Sequence, residues 1–329
     1  MAGVLESVYA GRHLTSLMNV DGNAIRGLIS LAHDIENRPA FYEDSLRGKK
    51  ALVYFSKPSF RTDATFDAGM QELGLHAKPM YEGNTPSKEP IKDRAMIAAG
   101  LYDVIVARLG PQEQIEEWAA YARRGLNGHQ TAIPVINGLT NEHHPCQILS
   151  DVFTMYKVFG SLEGLKVAFV GDGPINTTHD LMLACSALGI DISVATPPGA
   201  ENVPLDHIVA AADRNSKLTG SRIELTTDPI NAVQGARVVY TDTWRSYHVP
   251  EEDMPRRMNI FSPYKVDGHL MSQAHPDAVF MHCLPAYRGE EVTAEVIDGP
   301  QSIVIDQAIN RKYMQKAILL ALMKGSQSR

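Results

Sequence analysis

The chain has 329 residues, which is enough for two domains of ordinary size, each with its own core. Hydrophobic residues make up 44% of the sequence and charged residues 21%, a composition that excludes a disordered chain and a membrane protein and is typical of a soluble globular protein. The formal net charge of -7 excludes a general binder of nucleic acid or anionic lipid, so any anion site must be built from local groups.

The predicted elements alternate between short apolar runs and helical patterns, which predicts an α/β fold with two doubly wound parallel sheets. The strands expected in the first sheet are 50–55, 76–80, 103–107 and 133–136. Those expected in the second are 166–170, 191–195, 222–225, 236–240, 278–282 and 302–305.

Helical patterns predict how the two domains are joined. A helix over 145–159 is expected to connect a domain over 1–145 to one over 146–307, because Gly160 and Ser161 end its pattern. A C-terminal helix over 308–329 places Ile309, Tyr313, Ala317 and Leu320 at helical spacing. An early helix does the same with Ile25, Leu28, Ala32 and Ile35.

The three cysteines, Cys146, Cys185 and Cys283, form no CxxC pair and are too few for a disulfide framework, which favours a reducing compartment. They also give no support to a zinc site. The N-terminus lacks a basic segment followed by an apolar core, and no apolar run approaches the length of a membrane span. A cytoplasmic protein is therefore expected.

Segment 56–62 (Ser-Lys-Pro-Ser-Phe-Arg-Thr) follows the first predicted strand directly and precedes a helical pattern over 65–74. A helix start offers backbone N–H groups and the positive end of the helix dipole, and Ser59, Arg61 and Thr62 add side-chain donors. These features predict a phosphate site. Serine and threonine also cap helices for structural reasons, and this segment alone leaves that alternative open.

Further candidate donors follow another strand and open a helix. Arg108 comes directly after strand 103–107, so its guanidinium is expected at the carboxyl end of a parallel strand, where open α/β sheets bind ligands. His144 and Gln147 are three residues apart at a helix start, so both side chains can face one ligand. A surface arginine and a helix cap are the structural alternatives.

Three polar clusters stand beside apolar strand-like runs: 144–151 (His-Pro-Cys-Gln-Ile-Leu-Ser-Asp), 240–246 (Tyr-Thr-Asp-Thr-Trp-Arg-Ser) and 282–289 (His-Cys-Leu-Pro-Ala-Tyr-Arg-Gly). Taken in chain order with Ser-x-Arg-Thr at 59–62, they resemble the transcarbamoylase family, and the His-Cys-Leu-Pro run is similar to its ornithine carbamoyltransferase branch. The resemblance covers nearly the whole chain. It implies a two-domain enzyme that moves a carbamoyl group from carbamoyl phosphate to an amine, with the C-terminal helix packed back on the first domain.

The resemblance also implies a set of residues that bind the donor. They are Ser59, Phe60, Arg61, Thr62, Arg108, His144, Gln147, Cys283, Leu284 and Arg311. The implied catalytic residues are Arg61, Arg108, His144, Asp242 and Cys283. Attack on the carbonyl builds negative charge on its oxygen, so donors preset there lower the barrier without a covalent enzyme intermediate.

The acceptor must attack as a free amine, although an alkyl amine near pH 7 is mostly protonated. The resemblance implies that the acceptor is bound by Asn176, Asp242, Ser246 and Tyr247. Cys283 could instead be a nucleophile activated by a nearby histidine, but the resemblance favours a role in shaping the site.

Loop 81–90 carries turn-forming residues and one cation, Lys88, and is either a solvated surface loop or a mobile excursion. In the family the corresponding loop reaches the active site of a neighbouring subunit. The resemblance therefore implies a homotrimer, or a multiple of trimers, in which Asn84 or Lys88 contacts the phosphate of the next subunit.

Two departures from the family pattern bear on the acceptor. Asp63 stands where the family has an arginine after Ser-x-Arg-Thr, and Tyr247 replaces the methionine of its Ser-Met-Gly run. They indicate either a different amine, such as a diamino acid related to ornithine, or a silent change in which Asp63 pairs elsewhere.

Three alternative functions follow from the sequence. An aspartate-type acceptor is disfavoured by His-Cys-Leu-Pro, and a non-catalytic carbamoyl phosphate sensor is disfavoured by Asp242, Cys283 and Asn176. A dinucleotide-binding oxidoreductase is disfavoured because Gly173 is followed by Pro-Ile-Asn, so GxGxxG is missing. Neither a cofactor nor a metal ion is therefore expected, and the predicted partners are small-molecule substrates.

Overall fold

The computed structural model of the protein describes residues 13–82, 88–125, 131–245 and 251–324. The chain divides into two compact units, one formed by Met1–Phe153 with Ile309–Arg329 and the other by Thr154–Ala308. Each unit contains a parallel sheet with helices between its strands, which confirms the predicted fold class. Across the described residues, no helix combines the length and the apolar character needed to cross a membrane.

The elements of the first unit follow one another along the chain from residue 22. They are α1 (Gly22–Asn37), α2 (Pro39–Tyr42), β1 (Lys50–Phe55), α3 (Phe60–Glu72), β2 (His76–Tyr81), α4 (Ile91–Leu101), β3 (Val104–Arg108), α5 (Gln112–Tyr121), β4 (Arg123–Arg124), β5 (Thr131–Ala132) and β6 (Val135–Leu139). The helix α6 (Pro145–Phe159) then runs from the first unit into the second.

In the described part of the first unit, the main sheet has the strand order β2-β1-β3-β6, and all of its pairs are parallel. The central strands β1 and β3 are buried almost throughout, as their continuous apolar sequences predict for strands covered on both faces. The edge strand β2 is mostly exposed and contains Pro79, which an edge strand tolerates.

The elements of the second unit continue from residue 166. They are β7 (Lys166–Val170), α7 (Asn176–Leu188), β8 (Asp191–Ala195), α8 (Asp206–Thr219), β9 (Ile223–Thr226), α9 (Pro229–Val233), β10 (Val238–Thr241), α10 (Met254–Phe261), α11 (Gly268–Ser272), β11 (Val279–His282), α12 (Ala294–Ile297) and α13 (Val304–Lys324), which returns to the first unit. The described strands form a parallel sheet in the order β11-β10-β7-β8-β9.

Both sheets have their first strand inside the sheet, with later strands added on either side. In the first unit β2 lies on one side of β1 and β3 on the other, and in the second unit β8 and β10 flank β7. At two places, between β1 and β3 and between β7 and β10, the connections that follow two neighbouring strands therefore run to opposite faces of the sheet. A crevice outside the carboxyl ends of such strands is where open α/β sheets bind ligands.

Two predictions about the C-terminal region are wrong. Segment 302–305 is not a strand: Ser302 makes one isolated bridge to Phe280, and the helix begins at Val304, four residues before its predicted start. The predicted apolar face is also incomplete, because Ile309 is 53% exposed while residues 314–323 are buried on every side. A helix buried on all sides lacks the one-sided apolar pattern that sequence periodicity detects.

Candidate active site

The first candidate site lies where β1 ends and α3 begins. Ser59 precedes the helix in an extended conformation, with φ −150° and ψ 100°, and the first helical residues are Phe60, Arg61 and Thr62. Their backbone N–H groups have no acceptor inside the helix, since no helical carbonyl lies four residues earlier. Arg61 and Thr62 thus lie within the helix, whose predicted start at residue 65 was too late, and they stand at the helix end that favours an anion.

A buried group of cationic side chains belongs to the same unit. The Arg311 Nη2 atom donates to the Thr62 Oγ1 atom over 2.7 Å, and Arg311 and Arg108 are both buried. Burial first, and then the charges of Arg61 and Arg108, lower the pKa of Arg311 to about 10. These guanidinium groups therefore lie close enough to repel one another, and an anion bound among them would relieve that repulsion.

His144 lies in this group without adding to its charge. Burial, followed by the charges of Arg311, Arg108 and Arg61, holds the pKa of His144 well below its ordinary value of 6.5. The imidazole is therefore neutral at pH 7, with a proton on one ring nitrogen. A neutral ring N–H can donate to a carbonyl oxygen without placing another positive charge in the interior.

Gln147 lies in the first turn of α6 and is 1% exposed. Its Nε2 atom donates to the Oδ1 atom of the buried Asp151 over 2.9 Å. This bond sets the orientation of the amide and makes Oε1 the atom that can accept a hydrogen bond from a ligand NH₂ group.

The second candidate site lies at the carboxyl end of β10, around Asp242, which is 8% exposed. The Asp242 Oδ1 atom accepts from the Thr243 N–H over 2.7 Å and from the Cys283 thiol over 3.0 Å. The Asp242 Oδ2 atom accepts from the Thr177 hydroxyl over 2.8 Å. The carboxylate is thus held by donors from the segment after β10, from the start of α7 and from the residue after β11.

The contact between Cys283 and Asp242 argues against a nucleophilic thiolate. A thiol that donates to a carboxylate keeps its proton, and a thiolate at 3.0 Å would place two negative charges together. Asn176 lies nearby as the first residue of α7, with its Oδ1 atom 3.2 Å from the Thr177 hydroxyl. The second site therefore combines a carboxylate, a thiol, a hydroxyl and an amide.

A buried pair supports the segment that carries Cys283 and Leu284. The His282 Nδ1 atom accepts from the Leu284 N–H over 2.8 Å, so the ring proton is on Nε2, which faces the Glu291 Oε1 atom at 3.3 Å. The same Glu291 oxygen accepts from the Tyr287 N–H over 2.6 Å. Sequence reasoning missed Glu291, since a carboxylate in a polar segment gives no sign that it will be buried.

An ion pair that was also missed from the sequence joins the ends of β7 and β10. Arg257 on α10 pairs with Asp172, which follows β7, and donates from its Nε atom to the Trp244 carbonyl over 2.7 Å. Burial raises the pKa of Asp172 to about 6, while Arg257 opposes that rise. Gly173, the residue after Asp172, has no room for a side chain, because an added Cβ would lie 2.2 Å from the Asn202 carbonyl oxygen. The run Gly-Asp-Gly at 171–173 was the feature of the sequence that could have indicated this close packing.

Asp242, His282 and Cys283 each place one possible metal-ligand atom within 4.8 Å of the others. These atoms already serve other contacts: the thiol donates to Asp242, and the two ring nitrogens of His282 face Leu284 and Glu291. Binding a metal ion would require the thiol to lose its proton and the imidazole to be released. The arrangement suits a hydrogen-bonded amine better.

The remaining predicted residues lie at the borders of the described chain. Asn84, Ser246 and Tyr247 fall outside the described residues, and Lys88 lies exposed in a bend before α4.

Asp63, in the first turn of α3, accepts a hydrogen bond from the Tyr81 hydroxyl. This bond raises the pKa of Tyr81 to about 12.

Models of two protein-family domains match the chain. The model described as the carbamoyl-P binding domain of aspartate/ornithine carbamoyltransferase matches residues 12–157, and the model described as its Asp/Orn binding domain matches residues 163–322.

Individual relatives match over almost their full length. The curated ornithine carbamoyltransferase of Carboxydothermus hydrogenoformans is 41% identical and covers 96% of this chain and 98% of its own. That of Bacillus subtilis is 40% identical and covers 100% of this chain and 99% of its own. The solved ornithine carbamoyltransferase of Pyrococcus furiosus is 39% identical with a TM-score of 0.88, covering 96% of this chain and 98% of its own.

Proposed function

The chain belongs to the aspartate/ornithine carbamoyltransferase family and is therefore a carbamoyltransferase, and we propose that it transfers the carbamoyl group of carbamoyl phosphate to the side-chain amine of ornithine. The predicted family is thus confirmed. The observation that carries the choice of acceptor is the buried Asp242 carboxylate, which three donors hold in the second unit. A carboxylate attracts an amine and repels a second carboxylate.

The proposed donor site is the cationic group of the first unit. The phosphate dianion is bound by the first-turn amides of α3 together with Ser59, Arg61 and Thr62. Arg311, which donates a hydrogen bond to Thr62, places a further positive charge beside the phosphate. Arg108 and the neutral His144 donate to the carbonyl oxygen. Gln147 accepts from the carbamoyl NH₂ through its Oε1 atom.

The proposed acceptor site is the carboxylate cluster of the second unit. Asp242 and Cys283 lie at the reacting amine, and the Leu284 carbonyl accepts from the carbamoyl nitrogen. Asn176, at the start of α7, binds the amino-acid end of ornithine, since a helix start favours a carboxylate. Ser246 and Tyr247, outside the described residues, complete this proposed site.

The reaction proposed on these residues needs no cofactor and no covalent enzyme intermediate. The lone pair of the neutral amine attacks the carbonyl carbon, and the carbonyl oxygen becomes negatively charged beside Arg108 and His144. The bond from carbon to the phosphate oxygen then breaks as the C=O bond forms again. The departing phosphate takes the proton that the nitrogen loses, and the products are a ureido amino acid and phosphate.

An amine panel tests the proposal. The purified protein is supplied with carbamoyl phosphate and with ornithine, lysine, putrescine, diaminopropionate, N-acetylornithine or aspartate, and the ureido product is measured. Ornithine is expected to give the largest kcat/KM. A larger value for another amine refutes ornithine as the acceptor, and aspartate as the best acceptor would refute the role of Asp242.

A carbamoyl phosphate sensor would give a different result in the same assay. Such a protein would be stabilised against heat by carbamoyl phosphate yet would form no ureido product with any amine. The contact between Asp63 and Tyr81 removes one argument for the sensor. Because Asp63 already accepts a hydrogen bond from the Tyr81 hydroxyl, its departure from the family pattern has a structural role that does not require loss of activity.

We also propose that the protein assembles as a homotrimer through the first unit, with Asn84 or Lys88 contacting a neighbouring subunit's phosphate. Exposed apolar side chains support an interface there, and they include Met80, Met96, Ile97 and Leu101. Light scattering coupled to size exclusion is expected to give three times the 36.1 kDa chain mass, or a multiple of that trimer mass. A mass of one chain would contradict the assembly while leaving the acceptor proposal untouched.

A further inference from the structure

Thr177 lies beside the proposed amine site and is absent from every set of site residues that the sequence predicted. It is the second residue of α7 and is 1% exposed. Its hydroxyl oxygen lies 2.8 Å from the Asp242 Oδ2 atom, 3.2 Å from the Asn176 Oδ1 atom and 4.0 Å from the Cys283 sulfur. The hydroxyl is therefore surrounded by residues that the proposed function assigns to the acceptor.

The Thr177 hydroxyl has one proton, and it donates that proton in a hydrogen bond to Asp242. An ionised carboxylate at 2.8 Å is a stronger acceptor than an amide oxygen at 3.2 Å, so the proton lies toward Asp242. After this donation the Thr177 oxygen keeps its lone pairs. It can then accept a hydrogen bond and has no second proton to give.

The donors around Asp242 show where a further donor can bind. Each carboxylate oxygen has about two lone-pair sites. The Oδ1 atom accepts from both the Thr243 N–H and the Cys283 thiol, whereas among the described residues the Oδ2 atom accepts from Thr177 alone. The next donor therefore binds at Oδ2, next to the Thr177 oxygen.

Two acceptors 2.8 Å apart match the needs of an attacking amine. A neutral primary amine has two N–H donors and one lone pair, and the lone pair must stay free to reach the carbonyl carbon. If one N–H bonds to Asp242 Oδ2 and the other to Thr177 Oγ1, the lone pair is directed away from both oxygens. This geometry orients the nucleophile as well as binding it.

We propose that Thr177 contacts the reacting amine together with Asp242 and selects acceptors with two N–H donors on the nucleophilic nitrogen. The inference rests on the proposed function, because it assigns a contact within the same acceptor site. It adds a specificity-determining residue and a chemical rule: a primary amine is preferred over its N-methyl derivative, which has a single N–H when neutral.

The test compares Thr177→Val, which keeps the shape and removes the hydroxyl, with the wild type on ornithine and on N5-methylornithine. The wild type is expected to prefer ornithine at least ~10-fold in kcat/KM, since one hydrogen bond to a charged or reacting group is lost with the methylated amine. Thr177→Val is expected to lower kcat/KM for ornithine about 10-fold and to reduce that preference to within about threefold. The KM for carbamoyl phosphate should change less than about twofold, because Thr177 lies in the second unit.

Three further variants test whether loss of the Thr177 hydroxyl itself changes the amine preference. Thr177→Ser keeps a hydroxyl and should restore the preference for the primary amine. Thr177→Ala removes the hydroxyl in a second way if the valine variant folds poorly, as checked by circular dichroism. Thr219→Val removes a hydroxyl that donates to the Ser186 carbonyl over 2.8 Å, away from the proposed site, and should behave as the wild type.

The results separate the role of Thr177 from the proposed function. Activity of the wild type on ornithine, with an unchanged amine preference in Thr177→Val and Thr177→Ala, overturns the role of Thr177 and leaves the proposed function standing. Absence of ureido product from wild-type protein with ornithine overturns the proposed function itself, and with it the contact between Thr177 and the amine.

Discussion

The two units of the molecule build candidate sites of opposite charge on two parallel sheets, each of which has its first strand inside the sheet. In the first unit the ends of β1 and β3 carry Arg61 and Arg108, close to Arg311, and the neighbouring histidine is kept neutral. In the second unit the end of β10 carries Asp242, held by a hydroxyl, a thiol and an amide N–H. A ligand's charge is therefore selected by the few residues that follow each strand, and the fold supplies only their position.

This contrast also separates local from overall electrostatics. The chain has a net charge of -7, yet the first unit buries a concentrated positive group. Buried charges interact strongly over short distances, whereas exposed charges are screened by salt. Substitutions in the two sites should therefore have distinct effects on donor and acceptor kinetics.

The largest effect is expected from Arg61→Ala in the first site. Removing the guanidinium proposed to hold the phosphate should lower kcat/KM for carbamoyl phosphate by about a thousandfold, because this contact stabilises the charge of the leaving group. Steady-state kinetics measure the loss. The control is Arg288→Ala, which removes an exposed arginine paired with Asp298 at 2.6 Å and should keep full activity. Loss below tenfold for Arg61→Ala would contradict the donor site.

A smaller effect with the opposite substrate dependence is expected from Asp242→Asn. The amide keeps the shape and removes the charge, so kcat/KM for ornithine should fall about a hundredfold. The KM for carbamoyl phosphate should stay within about twofold. If Asp242→Asn changed the donor KM more than the acceptor KM, the division of charge between the two sites would be wrong.

The pH dependence of stability tests the neutral state of His144. Because its pKa is held below 6.5 in the folded protein, the unfolded chain binds more protons as the pH falls below 6.5. The stability that His144 contributes is therefore fully present above pH 6.5 and is lost progressively as the pH falls below 6.5. Urea unfolding of the wild type and His144→Gln between pH 5 and pH 7.5 should show their stability difference shrinking toward pH 5. A constant difference would mean that His144 has the same pKa in the folded and unfolded protein, which contradicts a lowered pKa in the folded state.

The smallest effect is expected from Asp63→Asn, which tests whether the departure from the family pattern is structural. Because Asp63 accepts from Tyr81, kcat/KM should change less than about threefold. The pKa of Tyr81 should fall from about 12 toward its ordinary value, since the hydrogen bond to Asp63 is the main cause of its rise. Absorbance titration with Tyr81→Phe as the reference measures this shift, and a Tyr81 pKa that stayed near 12 would exclude Asp63 as its cause.

Most strands were predictable from the sequence because each is a continuous apolar run followed by a polar cluster. The runs at 50–55, 166–170 and 191–195 coincide with β1, β7 and β8. The helix predicted over 145–159 coincides with α6. The strand predicted over 302–305 did not form, because this segment makes one isolated bridge, at Ser302, before the chain turns into α13 at Val304.

The supporting contacts of the second site were less predictable. Arg257 and Asp172 are 85 residues apart, and His282 and Glu291 are joined only after the chain turns back on itself. Nothing in the local sequence distinguishes a buried carboxylate from an exposed one, because burial is decided by which elements pack together. Thr177 was missed for the same reason, since a threonine in a first helical turn is usually a surface residue.

The sequence by itself determined the alternation of strands and helices, the polar clusters after the strands and the family to which the chain belongs, because these depend on short-range pattern and order. Only the tertiary structure decided that Arg311 bonds to Thr62 and that Thr177 and Cys283 share one carboxylate. Such contacts join residues 249, 65 and 41 positions apart, and a separation of that size carries no periodic signal in the chain.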